Sequence, residues 1–193
     1  GTCLRRALCR RPQAEAPVCA SSARAARGSG SMFRSSGKEA NASPTRPPVG
    51  EVARDAVARL AEVFGDGPRF CILGAQAVQN QDSDKIVKLF AKMLADRLDK
   101  DAVCITGGME GVQRAFALAC PKHLRLFNVI PGDKESSGYA CGTDIQAGDN
   151  SEERAVMLSL LGDVYLVVEG GDLVAAEARA AVERGADVVP LIR

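Results

Sequence analysis

From residue 49 onward the apolar positions follow two alternating rhythms, and before it they follow neither. Over 51–64, Val52, Val57, Leu60 and Val63 recur on or near one face, which predicts a helix. The run Phe70-Cys71-Ile72-Leu73 has no polar residue to alternate with, so 69–73 predicts a short strand buried on both sides. After a loop over 74–82, Ile86, Val87, Phe90, Met93, Leu94 and Leu98 form one stripe. That stripe predicts an amphipathic helix over 83–99, with Asp82 or Ser83 placed to cap it. Residues 102–106 predict a second strand, 110–120 a helix and 124–130 a third strand. Residues 131–149 carry four glycines and Tyr139 and read as one long loop. A helix over 150–161, a strand over 163–168, a helix over 173–184 and a last strand over 187–192 complete the pattern.

Short apolar strands alternating with helices require right-handed βαβ crossovers. The expected fold class is therefore α/β: a Rossmann-like three-layer fold over 49–193, with a doubly wound, mainly parallel sheet of about five strands. In such sheets ligands bind beyond the carboxyl ends of the strands, the edge where the glycine-rich turns of this chain fall. Because the chain ends as a strand ends, a covering helix and hence a C-terminal truncation are expected.

Charge separates the first part of the chain from the rest. Residues 1–49 hold nine Lys/Arg against two acids, whereas residues 50–193 hold sixteen against twenty-two. The expected fold is thus acidic, and only 4% of residues are aromatic with no Trp. Both features argue against a nucleic-acid partner. Residues 1–48 are rich in Arg, Ala, Ser, Gly and Pro and predict a disordered basic tail. Seven arginines between Arg5 and Arg34 suit a plastid or mitochondrial transit peptide, and an unstructured extension equally well. Without a transit peptide the expected location is cytoplasmic. No apolar run reaches the roughly 18 residues of a membrane helix, so no membrane partner is expected.

Seven cysteines, an odd count without a C-x-x-C pair, suit a reducing compartment. Cys71 and Cys104 fall in strands, where a free thiol behaves as a small buried hydrophobe. Cys120, His123 and Cys141 lack a fourth ligand for a closed tetrahedral site, so no metal is expected. His123 is the sole histidine, so neither catalytic triads nor two-histidine metal sites are expected.

Chemistry concentrates where strands pass into helices through glycine. Val164–Val168 runs into Glu169-Gly170-Gly171 and then an alanine-rich helix. Glycines let backbone approach a ligand, and the first free N–H groups of a helix favour an anion. A second turn, Thr106-Gly107-Gly108-Met109-Glu110-Gly111, has the same form. Tight helix–strand packing alone would also ask for glycine there. Glu110 reads as a first-turn partner of the helix dipole in preference to a ligand-facing acid. Neither G-x-x-x-x-G-K-[ST] nor G-x-G-x-x-G occurs. Gly74, Gly107, Gly108, Gly111, Gly170, Gly171 and Asp172 are the candidate ligand- and phosphate-binding positions. Arg154 and Glu177, in the helices before and after the Gly170-Gly171 turn, are the candidate reactive pair. Each alone could also be an exposed helix residue, with Glu177 pairing to Arg179 or Arg184.

Thr106-Gly107-Gly108, Gly111, Glu153-Arg154, and Gly170-Gly171 followed by Glu177 resemble the Lonely Guy (LOG) proteins and the wider SLOG superfamily. That superfamily includes the molybdenum-cofactor carrier proteins. The resemblance covers about residues 68–193 and is best over 149–190. It implies a homodimeric Rossmann-like protein that needs no cofactor. It also implies cleavage of the N-glycosidic bond of a nucleoside 5′-monophosphate, with Arg154 and Glu177 at the catalytic arginine and glutamate. Positive charge developing on the ribose would be stabilised by Glu177, while Arg154 would anchor the substrate or complement the leaving base. Where the enzymes read PGGxGT, this chain reads Glu169-Gly170-Gly171-Asp172-Leu173-Val174, and Ala155 replaces a lysine. Leu173 and Val174 remove a flexible position and a hydroxyl, and Glu169 and Asp172 would bring carboxylates to the phosphate's place. Two readings follow: a nucleotide-binding protein that is a phosphoribohydrolase, or a non-catalytic sensor or carrier of a nucleotide, sugar phosphate or cofactor. Both require an open cavity beside Arg154 that Leu173 and Val174 do not fill.

Overall fold

In the computed structural model, residues 49–192 are described; the basic tail expected over 1–48 lies outside the described residues. The elements are α1 (Val49–Phe64), β1 (Arg69–Gly74), α2 (Ser83–Ala95), β2 (Val103–Thr106), α3 (Val112–Ala119) and β3 (Arg125–Ile130). They continue as β4 (Thr143–Gln146), α4 (Ser151–Leu161), β5 (Val164–Val168), α5 (Asp172–Glu183) and β6 (Asp187–Ile192). The six strands form one sheet in the order β4-β3-β2-β1-β5-β6, and every pair is parallel.

The strand expected to be most buried lies at the centre. Phe70 through Leu73 are each no more than 2% exposed, with β2 on one side and β5 on the other. By strand alternation Cys71 and Leu73 face the layer of α1, α4 and α5. There they join Leu60, Phe64, Ile105, Val129, Leu158, Tyr165 and Ala181 in one apolar cluster. The other face is covered by α2 and α3, which pack on each other. Arg125 at the start of β3 donates Nη1 to Phe64 O (2.6 Å) and Nη2 to Val63 O (2.9 Å), satisfying carbonyls at the end of α1.

Three local expectations need correction. The loop expected over 131–149 contains β4, a sixth strand reading Thr-Asp-Ile-Gln on the sheet edge, half exposed and without an apolar run. The α2 helix ends at Ala95 rather than continuing to residue 99, although Leu98 remains buried. Neither Asp82 nor Ser83 caps α2 with its side chain. Asp82 pairs with Lys85, and the Ser83 hydroxyl is committed to Glu169.

Sequence order reverses direction between β1 and β5. From β1 the chain moves through β2 and β3 to β4, then returns to place β5 on the other side of β1. Gly74 and Val168, the carboxyl ends of β1 and β5, are direct partners in the ladder. The turns that follow them diverge, and a crevice opens at this switch point.

Candidate ligand site at the switch point of the sheet

Arg154 lies in the first turn of α4. Asn150 starts that helix, its side chain accepting from the N–H groups of Glu152 and Glu153 at 3.0 Å each. The guanidinium is carried inward: Arg154 is 2% exposed and Glu177, from α5, is 5% exposed. Their burial overturns the alternative that each is an ordinary surface residue. Arg154 Nη2 lies 3.6 Å from Glu177 Oε1, close enough for charge pairing and too long for a strong hydrogen bond. Arg154 Nε and Nη1 and Glu177 Oε1 have no hydrogen-bond partner. Arg184 serves elsewhere, donating to Ser159 O and Gly162 O and to the Tyr165 hydroxyl.

Buried polar atoms without partners are rare and call for an explanation. Burial lowers the pKa of Arg154 despite the neighbouring Glu177, and burial raises that of Glu177 despite Arg154. Desolvation therefore outweighs the pairing on both sides, and the pair is incompletely compensated.

A cavity of about 270 Å³ adjoins them. Its wall includes Gly74, Gln76, Met109, Arg154, Gly171 and Glu177. Leu173 and Val174 also line it; they narrow the crevice without filling it, and Leu173 is half exposed. The wall thus joins an ion pair to apolar surface, the usual composition of a small-molecule pocket.

The glycine turns fall into distinct situations. Gly107 makes room for the arginine, since a Cβ there would sit 2.1 Å from Arg154 Nη1. Gly111 starts α3 with φ +77°, and a Cβ would meet Ala75 O at 2.3 Å, so the β1 loop crosses directly above it. Gly74 packs against Val112, and Gly108 against Ile130. Gly170 backs onto Val174, whereas Gly171 opens onto free space at the N-terminus of α5. Asp172, the first residue of that helix, is exposed. The N–H groups of Gly107 and Met109 are both taken by Gln113 Oε1, at 2.8 and 3.2 Å. A protein amide thus occupies the second glycine turn, while the N-terminus of α5 faces the cavity. Glu110 pairs with Arg114 along α3.

Glu169 does not enter the phosphate's place as expected. At φ +54° its carboxylate turns to the β1 loop and accepts the N–H groups of Gln79 (2.8 Å) and Asn80 (2.9 Å) and the Ser83 hydroxyl. Those hydrogen bonds, that of Gln79 foremost, hold its carboxyl below the ordinary carboxylate value. Pattern reasoning also missed the residues that secure the other rim. The Tyr139 hydroxyl donates to Met109 O. Buried Asn128 accepts from Thr106 Oγ1 (2.8 Å) and donates to Asp144 Oδ1 (2.8 Å) and Cys141 O (2.9 Å). A polar Asn inside an otherwise apolar strand was the available signal.

No protein-family model and no curated protein matches this sequence. Solved structures share the fold. The molybdenum cofactor binding protein of Rippkaea orientalis superposes with a TM-score of 0.57 at 18% identity, covering 66% of this chain and 77% of its own. The Moco carrier protein of Chlamydomonas reinhardtii gives 0.55 at 20% identity, with coverage of 66% and 78%. A protein designated TM1055 gives 0.54 at 18% identity, with coverage of 63% and 72%. At these identities the likeness establishes a shared fold, one that includes Moco carrier proteins.

Proposed function

We propose that the protein binds an anionic small molecule, a nucleotide or a cofactor of similar chemistry, between the ends of β1 and β5, and holds it as a carrier or sensor. One observation carries this reading: Arg154, a buried and incompletely compensated guanidinium, lines an open cavity. A phosphate or other oxyanion in the cavity would supply the counter-charge that Arg154 lacks, and a small shift of the side chain would bring its planar fork to bear on it. The N-terminus of α5 at Gly171 adds a second, weaker attraction for negative charge. Leu173 and Val174 offer apolar surface suited to the body of a ring. The cavity, about 270 Å³, lies just below the roughly 300–1,000 Å³ usual for ligand pockets, which suits a mononucleotide better than a dinucleotide. Structures of this fold named as Moco carriers support carriage, and make that cofactor a second candidate cargo.

Glu177 favours a second reading, N-glycosidic hydrolysis. A buried carboxylate in the same wall, incompletely neutralised by Arg154, is suited to stabilising an oxocarbenium-like ribose. Incubation with AMP and an N6-substituted AMP, followed by chromatography for free base and by thermal melting, separates the two. Carriage predicts a saturable rise in Tm with no free base. Base release that disappears in Glu177→Gln establishes the hydrolase instead. If Tm responds to neither nucleotide nor to the molybdenum cofactor, the ligand reading is overturned.

A further inference from the structure

Gln113 lines the cavity beside Arg154 and is 3% exposed, yet the protein uses only one end of its amide. Its Oε1 accepts the N–H groups of Gly107 (2.8 Å) and Met109 (3.2 Å). Two backbone donors on one atom settle which end of the amide is oxygen, because a flipped amide would set N–H against N–H. Nε2 is therefore the free end, and its two N–H groups meet no protein acceptor among the described residues. Nor is Nε2 sealed in protein, as Arg154 Nε and Nη1 are, so it opens to the cavity that Gln113 lines.

The amide and the guanidinium are neighbours. A Cβ at Gly107 would sit 2.1 Å from Arg154 Nη1 and 3.1 Å from Gln113 Oε1, so the two side chains lie side by side across a position that only glycine leaves clear. An amide whose oxygen accepts two hydrogen bonds is polarised, and its nitrogen becomes a stronger donor. The second glycine turn thus passes the polarity of its N–H groups to the cavity through Gln113. At this end of the cavity both side chains donate and neither accepts. A group with several acceptor oxygens and no proton to give satisfies both, whereas the N–H edge of a base would meet donor against donor.

We propose that Gln113 is a second ligand-contacting residue, which together with Arg154 holds the phosphate of a sugar monophosphate. This rests on the reading of the cavity as an anion site, and adds which end of the ligand lies against α3. Nε2 supplies a neutral, oriented donor, and Arg154 supplies the charge.

The test is a melting titration of the full chain with AMP, ribose 5-phosphate and adenosine, on wild type and on Gln113→Glu. That substitution keeps an oxygen for the Gly107 and Met109 N–H groups and replaces the Nε2 donor with a second, charged acceptor. The expected result for wild type is a saturable rise in Tm with both phosphates and none with adenosine. Gln113→Glu should need about tenfold more of either phosphate for the same rise. Should that variant fail to fold, heteronuclear NMR of wild type reads the same contact, since the assigned Gln113 side-chain amide must shift on saturation with ribose 5-phosphate. Equal titrations of the two proteins, or an unmoved Gln113 amide at saturation, overturn the role of Gln113 and leave the anion site standing. A rise with adenosine equal to that with AMP overturns the phosphate assignment. No response of wild type to either phosphate overturns the nucleotide reading, and this inference with it.

Discussion

Arg154 and Glu177 occupy positions where an apolar pair would serve stability better, because neither charge is fully compensated. Replacing Arg154 by methionine alone leaves the Glu177 carboxylate buried without a counter-charge, and should cost about 3–5 kcal/mol in urea unfolding. Combining Arg154→Met with Glu177→Leu should recover most of that loss. Two carboxyls give opposite pH signatures. Glu177 has a folded pKa raised above 4.5 by burial, so its stabilising contribution is complete below 4.5 and is lost as pH rises through the raised value. Glu169 has a folded pKa depressed below 4.5 by its hydrogen bonds, so its contribution is present above 4.5 and is lost as pH falls through the depressed value. Stability measured against pH should therefore show the wild type losing its advantage over Glu177→Gln on the alkaline side of 4.5. Against Glu169→Gln it should lose its advantage on the acid side.

At the scale of elements, the turns that join strand to helix divide into those that pack and those that stay open. Gly111→Ala places a Cβ at 2.3 Å from Ala75 O at a positive φ, and should destabilise by about 1–3 kcal/mol while displacing the loop after β1. Gly171→Ala meets nothing within 4 Å at φ −97° and should change stability by less than about 1 kcal/mol. Chemical denaturation of the two variants checks both. These elements also mark what sequence reading could reach. β1, β2 and β5 were legible because central parallel strands need apolar runs, and β3 because only Asn128 interrupts its apolar residues after Arg125. β4 was not, because an edge strand reading Thr-Asp-Ile-Gln has no such run and is defined by pairing with β3. The Gly-Gly turns announced the edge where the crevice opens. They did not announce that Gln113 would occupy one of them, or that Glu169 would turn away to hold the β1 loop. The Glu169 contacts span 89 and 90 residues, beyond any local pattern, whereas the Gln113 contacts span only 4 and 6 and carry no motif that marks them.

For the molecule as a whole, the order of strands decides where chemistry can happen. Reversal between β1 and β5 places the loop after β1 and the turn after β5 on either side of one crevice, and α4 and α5 deliver Arg154 and Glu177 to its wall. Among the described residues no helix is long and apolar enough to cross a membrane. The excess of acids over bases in residues 50–193 makes a basic group in the crevice more distinctive, because most of the surrounding field repels an anion. On the proposed reading, anion binding depends on Arg154. A melting titration with AMP, run side by side on wild type, Arg154→Lys and Arg154→Met, tests this most directly. We predict a saturable rise in Tm for wild type, a rise needing about tenfold more nucleotide for Arg154→Lys, and none for Arg154→Met. An equal rise in all three proteins would contradict the assignment of Arg154 as the anion's partner.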